Sequence, residues 1–357
     1  MLKSTDDLRI TEIKPLTTPI EVMRQHPRTD AATRTVLAAR HDFHNILTGQ
    51  DDRLAVVVGP CSIHDPRAAM DYANRLAALR EELGDRLEII MRVYFEKPRT
   101  TVGWKGLIND PDLDGSFNIT DGLNTARTLL LDINNLGLPA ACEFLDMTTP
   151  QYIADLVSWA AIGARTTESQ IHREMVSGLS CPVGFKNGTS GDVKIALDAV
   201  LSASQPHHFM AVTKDGQSAI AATTGNEDCH IILRGGKTTN YDADSVEAAA
   251  QAAIKAGVNP AIMIDASHAN SSKKPENQPA VCAEIGNQVA AGDKRIIGVM
   301  IESNIVAGRQ DLEPGKELVY GQSITDGCID WATTVTTLHA LAEAVEKRRA
   351  VNNQAVA

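Results

Sequence analysis

The chain has 357 residues, 43% of them hydrophobic and 22% charged, which is enough apolar sequence to bury a sizeable core in one large domain or two ordinary ones. Its formal net charge of −11 argues against non-specific nucleic-acid binding, because an acidic surface repels phosphate backbones. No apolar run approaches the length of a membrane span and the N-terminal residues carry no hydrophobic signal segment, so we expect a cytoplasmic protein without a membrane partner.

The first fifty residues differ from the rest of the chain. They are polar and interrupted by three prolines, and the pattern from 31 to 47 predicts one amphipathic helix. We therefore predict an N-terminal extension over residues 1–50, whose charged start forms a surface arm or an intersubunit (oligomer) contact, followed by one main domain over residues 51–357.

From residue 54 onward, short apolar runs alternate with helical patterns. Each apolar run ends in glycine or a polar cluster, and a helical pattern follows it. Strands that are buried on both faces and alternate with helices imply a parallel sheet. The predicted strand and helix pairs are 54–58 with 66–83, 87–93 with 121–136, 140–144 with 150–159, 160–163 with 169–178, 183–185 with 192–202, 231–233 with 245–256, 261–265 with 278–291, and 296–301 with 329–349.

Eight such units favour an α/β fold of the (β/α)8 TIM-barrel type over a doubly wound open sheet. One segment, at about 207–224, falls outside the alternation and reads as two strands joined by an Asp215-Gly216 turn. It predicts a β-hairpin inserted between barrel units five and six. Because closing the barrel does not require this hairpin, it is either a plain decoration or a regulatory or interface element.

Basic residues gather where the predicted strands end. In a TIM barrel these ends share one face, which is where active sites lie. The sequence therefore predicts that five cations converge there: Arg92, Lys97, Arg165, Lys186 and Arg234. Glycines beside three of them allow backbone N–H groups to approach an anion closely. Such a cluster suits a small substrate that carries both phosphate and carboxylate. For any one segment alone, a solvated basic loop is the alternative.

A second set at the strand ends has the character of metal ligands. It consists of Cys61, His268, Glu302 and Asp326, which combine one soft, one borderline and two hard donors. This mixture predicts a divalent transition ion, Mn, Fe, Co or Zn, rather than Mg or Ca. Singly, each residue has another explanation, because a buried cysteine is usually part of the core and a strand-end histidine is often only hydrogen-bonded. The six cysteines lack disulfide-scaffold or CxxC spacing, so we expect reduced thiols.

Several long motifs resemble a known family, the type I 3-deoxy-D-arabino-heptulosonate 7-phosphate (DAHP) synthases. The likeness covers nearly the whole chain, including the extension and the inserted hairpin. The motifs are Gly-Pro-Cys-Ser at 59–62, Arg-Val-Tyr-Phe-Glu-Lys-Pro-Arg-Thr-Thr-Val-Gly-Trp-Lys-Gly at 92–106, Gly-Ala-Arg-Thr-Thr-Glu-Ser-Gln at 163–170, Gly-Phe-Lys-Asn-Gly-Thr at 184–189, His-Ile-Ile-Leu-Arg-Gly-Gly-Lys at 230–237 and Tyr-Gly-Gln-Ser-Ile-Thr-Asp at 320–326.

The resemblance implies the first step of the shikimate pathway, in which phosphoenolpyruvate condenses with erythrose 4-phosphate and water. It implies metal ligation by Cys61, His268, Glu302 and Asp326. The implied phosphoenolpyruvate-binding residues are Arg92, Lys97, Gly163, Ala164, Arg165, Lys186 and Arg234. Those implied for erythrose 4-phosphate are Lys97, Pro98, Arg99, Thr100 and Asp326, with Arg99 on the phosphate. A sister family that uses arabinose 5-phosphate carries Lys-Ala-Asn in place of Lys97-Pro98-Arg99, which favours the shorter sugar here.

Four residues are expected to take part in the chemistry. Lys97 and His268 are the candidate proton carriers, Glu143 is expected to orient the water, and Cys61 makes the site prone to oxidation. Because Cys328 lies two residues after Asp326, we also consider a Cys61–Cys328 disulfide in the metal-free enzyme.

The resemblance further implies feedback inhibition by an aromatic amino acid at the inserted hairpin. Phenylalanine is favoured, but Ala211 and Ala221 are smaller than the Ser and Val expected at these positions, so tyrosine stays open. Asp6 and Asp7 would come from a neighbouring subunit, and we expect a homodimer or homotetramer. The effector residues implied within one chain are Met147, Pro150, Gln151, Leu179, Ser180, Phe209, Ala211 and Ala221.

Two other functions compete with this interpretation. A Schiff-base aldolase would use Lys186 as its nucleophile and need no metal. A catalytically inactive amino-acid sensor would be expected to have lost Cys61 or a cation of the cluster, and this chain keeps them all.

Overall fold

The computed structural model describes residues 5–313 and 315–356, with side chains up to residue 353. Ten strands are found in this part of the chain: β1 (Leu54–Gly59), β2 (Leu87–Arg92), β3 (Ala140–Glu143), β4 (Trp159–Ile162), β5 (Val183–Lys186), β6 (His208–Val212), β7 (Ser218–Ala222), β8 (Cys229–Leu233), β9 (Ile262–Asp265) and β10 (Ile296–Glu302). The α-helices are α1 (Pro19–Gln25), α2 (Asp30–Leu47), α3 (Pro66–Leu83), α4 (Ile119–Asn135), α5 (Thr149–Ile153), α6 (Gln170–Ser177), α7 (Lys194–Ala203), α8 (Ala243–Ala256), α9 (Gln278–Ala290) and α10 (Trp331–Val356). None of the described helices is long and apolar enough to cross a membrane.

Eight of the strands close into a parallel barrel in the order β1-β10-β9-β8-β5-β4-β3-β2. Every residue of these strands is buried, which explains why the sequence shows unbroken apolar runs rather than alternation. The remaining strands, β6 and β7, pair antiparallel between the fifth and sixth barrel strands. The predicted (β/α)8 barrel with an inserted hairpin is therefore confirmed.

In the first half of the chain, one predicted helix is wrong and one helix was not predicted. The predicted helix over 150–159 is wrong, because α5 ends at Ile153, a 3-10 turn covers Ala154–Leu156, and Trp159 begins β4. Trp159 is fully buried in the barrel, so tertiary packing overrides its helical spacing. Helix α1 was not predicted because of its proline. Pro19 occupies the first turn, where no backbone donor is lost, and Thr18 with Glu21 forms a capping box.

Helix α2 covers the N-terminal end of the barrel. The Phe43 ring lies 5.1 Å from that of His230 and 6.2 Å from that of Trp159. His230 is fully buried, and neither of its ring nitrogens has a hydrogen-bond partner among the described residues. Burial lowers the pKa of His230 to about 3, so it is neutral at physiological pH.

Replacing His230 with Phe is expected to protect the fold against acid. The unfolded chain protonates this histidine near pH 6.5, whereas the folded chain does so only near 3. The unfolding free energy of the wild type therefore falls as pH drops from about 6.5 to about 3. His230 contributes at most about 1.4 kcal/mol per pH unit to this fall. The variant lacks that loss, so its unfolding free energy should fall less steeply in urea titrations at pH 7, 6 and 5. The exposed His41→Phe variant is the control, and equal slopes for His230→Phe and wild type would contradict the expectation.

Candidate active site

A cavity of about 660 Å³ lies at the C-terminal ends of the barrel strands. It brings together residues that are far apart in sequence, from the end of β2 to the loop after β10. Cys61 lies beside it, with Sγ 2.9 Å from Lys97 Nζ and 3.5 Å from Asp326 Oδ2. The other predicted site residues that line the cavity are Arg92, Lys97, Pro98, Arg99, Thr100, Glu143, Gly163, Ala164, Arg165, Lys186, Arg234, His268, Glu302 and Asp326.

Three of the four predicted metal ligands form one cluster. A sulfur of Cys61 and a carboxylate oxygen each of Glu302 and Asp326 lie within 4.8 Å of one another. His268 Nε2 is 3.9 Å from Glu302 Oε1, next to this cluster. The Glu302 backbone is fixed on both sides by Gln278, whose side-chain amide donates to its carbonyl and accepts from its N–H, each at 2.9 Å. A thiol, two carboxylates and an imidazole fit a borderline divalent ion.

The Cys61 thiol is protonated in the metal-free protein. Burial, and next the charge of Glu302, raise the pKa of Cys61 to about 12. Lys97 lies between Cys61 and Asp326, with its Nζ 2.7 Å from Asp326 Oδ2. Although burial acts in the other direction, the charge of Lys97 holds the pKa of Asp326 well below its usual range. A metal bound here would therefore displace a proton from Cys61. All six cysteines are free thiols, and a Cys61–Cys328 pairing on oxidation stays a prediction.

Asp265, which was not among the predicted site residues, orients two of them. Its fully buried carboxylate accepts from Lys186 Nζ at 2.8 Å and lies 2.9 Å from His268 Nδ1. Although burial acts in the other direction, the charges of His268 and Lys186 hold the pKa of Asp265 well below its usual range. A histidine that donates from Nδ1 leaves Nε2 as the acceptor on the side of Glu302. The signal in the sequence was a buried strand that ends in Asp three residues before His268.

Two arginines of the cavity wall favour an anion. Arg165 and Arg234 line the cavity, and burial together with the like charge of Arg165 lowers the pKa of Arg234 against the opposing effect of Asp265. The Glu143 carboxylate lies directly against the backbone of Gly163, since a Cβ at this position would lie 2.3 Å from Glu143 Oε1. That oxygen is buried and has no hydrogen-bond partner among the described residues. A bound water or substrate group would satisfy it.

Sequence reasoning also missed other residues that line this cavity. Most lie in loops just beyond the predicted strand ends, where the spacing of the barrel repeat no longer fixes their position. These are Tyr94, Thr101, Val102, Thr166, Thr189, Gly236, Ser267, Ala269, Ser271, Lys273, Pro275, Arg309 and Gly327.

A second cavity, of about 970 Å³, lies against the inserted hairpin. In the hairpin register Phe209 pairs with Ala221 and Ala211 with Ala219, so these residues share one face. Asp6 and Asp7 are exposed and do not line the cavity of their own chain. The predicted effector residues that do line it are Met147, Pro150, Gln151, Leu179, Ser180, Phe209, Ala211 and Ala221.

Glu96 connects the two cavities. It immediately precedes Lys97, and its buried carboxylate accepts hydrogen bonds from the Leu145 and Asp146 N–H groups, at 3.3 and 3.1 Å, and from the Thr149 hydroxyl at 3.3 Å. The segment 145–149 contains Met147 of the second cavity. Burial raises the pKa of Glu96 to about 8, so its charge is sensitive to small changes in these contacts.

Comparison with known proteins agrees with this geometry. The profile of the DAHP synthetase I family matches residues 24–339. The Phe-sensitive phospho-2-dehydro-3-deoxyheptonate aldolase of Escherichia coli is 63% identical over 344 residues, which cover 96% of this chain and 98% of that protein. A Trp-sensitive relative from Enterobacter agglomerans is 54% identical over 97% of this chain and its own full length. The structure of phospho-2-dehydro-3-deoxyheptonate aldolase from Francisella tularensis superposes with a TM-score of 0.93 at 53% identity, covering 95% of this chain and 99% of that one. The chain belongs to the DAHP synthetase I family.

Proposed function

We propose that the cavity at the strand ends is the active site of a metal-dependent DAHP synthase. The chain condenses phosphoenolpyruvate with erythrose 4-phosphate and water, releasing 3-deoxy-D-arabino-heptulosonate 7-phosphate and inorganic phosphate. The main support for this proposal is that the cluster of Cys61, Glu302 and Asp326 adjoins a cavity lined by several cations.

Phosphoenolpyruvate binds on the cationic side. Its phosphate and carboxylate are held by Arg92, Lys97, Arg165, Lys186 and Arg234, with the backbone of Gly163-Ala164. Arg165 and Arg234 have no carboxylate partner among the described residues, so an anion relieves their mutual repulsion. Lys186 is held by Asp265, which fixes the direction of its ammonium group.

Cys61, His268, Glu302 and Asp326 would hold the divalent ion, which is Mn, Fe, Co or Zn. When bound, such an ion supplies Lewis acidity to the aldehyde of erythrose 4-phosphate. The donor set supports this assignment, because a soft thiolate disfavours Mg and Ca.

The remaining chemistry belongs to the side chains around the substrates. Carbon 3 of phosphoenolpyruvate bonds to the aldehyde carbon, and Lys97 or His268 gives a proton to the aldehyde oxygen. Carbon 2 becomes electron-poor, and water adds to it. Glu143, whose Oε1 faces Gly163 and has no hydrogen-bond partner among the described residues, orients that water and takes its proton. The bond between carbon 2 and the bridging oxygen then breaks, so phosphate leaves with that oxygen. The new hydroxyl on carbon 2 gives its proton to the departing phosphate and becomes the ketone of the product.

The acceptor is set by the loop Lys97-Pro98-Arg99-Thr100. Arg99 is exposed at the cavity mouth, where its guanidinium suits the acceptor phosphate. The test is phosphoenolpyruvate consumption and phosphate release with erythrose 4-phosphate or arabinose 5-phosphate. We expect stoichiometric product formation with the four-carbon sugar and little with the five-carbon sugar, and the opposite preference would overturn the assignment.

The second cavity is the feedback site, and phenylalanine is its favoured effector, with tyrosine as the alternative. Its apolar wall from Met147, Leu179 and Phe209 suits an aromatic side chain, and Ser180 and Gln151 suit the amino-acid group. Asp6 and Asp7 reach this site from a neighbouring subunit, which requires a homodimer or homotetramer. An effector inhibits only if it binds two conformations of the enzyme with different affinities. Effector binding would alter the position of Lys97 through the hydrogen bonds of the neighbouring Glu96.

Filling this cavity is expected to weaken feedback inhibition without harming catalysis. Ala221→Phe places a ring in the space for the effector, so the inhibition constant for phenylalanine should rise by at least about tenfold. The matched control is His208→Phe, on the same hairpin but outside the cavity lining. Initial rates against phenylalanine, tyrosine and tryptophan would identify the effector. Unchanged inhibition in Ala221→Phe would place the effector elsewhere.

A further inference from the structure

A network of three asparagine side chains ties together the ends of three barrel strands beside the candidate active site. Asn187 follows β5, Asn240 lies in the loop after β8, and Asn270 lies in the loop after β9. Asn187 is fully buried, Asn270 is nearly so, and Asn240 is half-buried. The Asn240 side-chain amide donates to Asn187 Oδ1 at 3.2 Å, and the Asn240 backbone N–H donates to Asn270 Oδ1 at 2.9 Å. The chemistry proposed for the active site uses none of these three residues.

This network holds the backbone on both sides of Arg234. The Asn187 side chain accepts from the Arg234 N–H at 2.8 Å and donates to the Gly235 carbonyl at 2.9 Å. Asn240 Oδ1 accepts from the Gly235 N–H at 2.7 Å. Gly235 has a φ of 72°, and a Cβ there would lie 2.9 Å from the Asn270 backbone nitrogen, so glycine suits this close approach. Three backbone groups of two consecutive residues are therefore bonded to asparagine side chains.

The side chain of Arg234, by contrast, is held by little else. Within the described part of the chain its one hydrogen bond is a long one, from Nη1 to the Gly235 carbonyl at 3.5 Å, and no carboxylate lies within 4.0 Å of it. Lys186, which lines the same cavity, is instead fixed by Asp265 at 2.8 Å. The position of the Arg234 guanidinium therefore depends on where its backbone is held. Fixing a cation in advance raises its affinity for an anion, because less freedom is lost on binding.

We propose that Asn187 and Asn240 are positioning residues, which hold Arg234 where its guanidinium meets phosphoenolpyruvate. This inference rests on the proposed function, in which Arg234 binds that substrate. Neither asparagine lines the cavity, so both act through Arg234. The hydrogen-bonding groups of the Asn187 side chain are fully used, because its amide donates to the Gly188 and Gly235 carbonyls and its oxygen accepts from Arg234 and Asn240. Removing the Asn240 side chain leaves the Gly235 N–H without its acceptor and releases the loop.

The Asn240→Ala variant tests this role, and it should fold because Asn240 is half-buried and keeps its backbone bond to Asn270. The dissociation constant for phosphoenolpyruvate, measured by calorimetry on Mn²⁺-loaded enzyme without sugar, should rise about tenfold. This is the lower end of the range for a lost charged hydrogen bond, because the guanidinium is displaced rather than removed. The dissociation constant for Mn²⁺ should stay unchanged, whereas general loosening of the strand ends would weaken both ligands. The matched control is Thr239→Ala, an exposed position in the same loop outside the cavity lining, which should bind phosphoenolpyruvate like wild type.

A double-mutant cycle separates action through Arg234 from any other effect. In the Arg234→Ala background, Asn240→Ala should change the dissociation constant for phosphoenolpyruvate by less than about twofold, because the group that it positions is gone. An equal tenfold loss in both backgrounds would overturn the proposal, and so would an equal loss of affinity for Mn²⁺. Wild-type binding in Asn240→Ala would overturn this inference alone. Wild-type enzyme that bound no phosphoenolpyruvate would instead overturn the proposed function, and this inference with it.

Discussion

The Glu302→Gln variant is expected to lose bound metal and to lower kcat by on the order of a hundred- to a thousandfold, the effect of removing a key electrostatic group from an active site. The carboxylate of Glu302 lies within the ligand cluster and 3.3 Å from Arg92. The amide keeps the shape but loses the negative charge that favours a divalent ion. Metal content after dialysis, measured beside kcat, checks both parts of the expectation.

The backbone bonds between Glu302 and Gln278 do not involve the changed group, so the variant should fold. The exposed Glu276→Gln variant, outside the cavity, serves as the control. Wild-type metal content with a normal kcat in Glu302→Gln would remove this residue from the metal site.

The Asp265→Asn variant is expected to lower metal affinity and kcat together, each by about ten- to a hundredfold, as loss of a carboxylate behind a metal-bound histidine does. Asp265 accepts from Lys186 and lies beside His268 Nδ1. An amide there can present its NH₂ group to the histidine, which favours the wrong tautomer and turns Nε2 away from its acceptor role. The measurements are a metal titration followed by activity at saturating metal.

A matched control is available in the same chain. Asp228→Asn removes another carboxylate beside a histidine, His44, at 2.6 Å and away from the active-site cavity. It should leave metal affinity unchanged. If both variants lost metal equally, the effect of Asp265 would be general destabilisation rather than orientation of His268.

The barrel could be predicted because its physical signals are local and repeated. Strands such as β1 are uniformly buried. Helices such as α3 begin at a recognisable boundary, because the Asp65 side chain caps the helix and the ring of Pro66 fits its first turn. The hairpin could be predicted from one Asp-Gly turn between two short strands. Parallel topology then implied that residues at the strand ends meet on one face.

What could not be predicted depends on long-range packing. Trp159 looked helical by spacing, but its side chain fills the barrel beside Phe43 and His230, which only the closed sheet reveals. The pairing of Asp265 with Lys186 joins residues 79 positions apart. Lys273 lies beyond the end of β9, in a loop whose left-handed residues carry no glycine signal. Ion pairs and loop conformations of this kind follow from the fold rather than from its periodicity.

The most direct test of the metal-assisted condensation follows loss of phosphoenolpyruvate absorbance on adding erythrose 4-phosphate, first in excess EDTA and then after restoring free Mn²⁺. The cluster of Cys61, Glu302 and Asp326 beside His268 predicts no loss in chelator and rapid loss with metal. Full activity in chelator, together with borohydride trapping of a substrate on Lys186, would contradict the metal site and establish a Schiff-base aldolase instead.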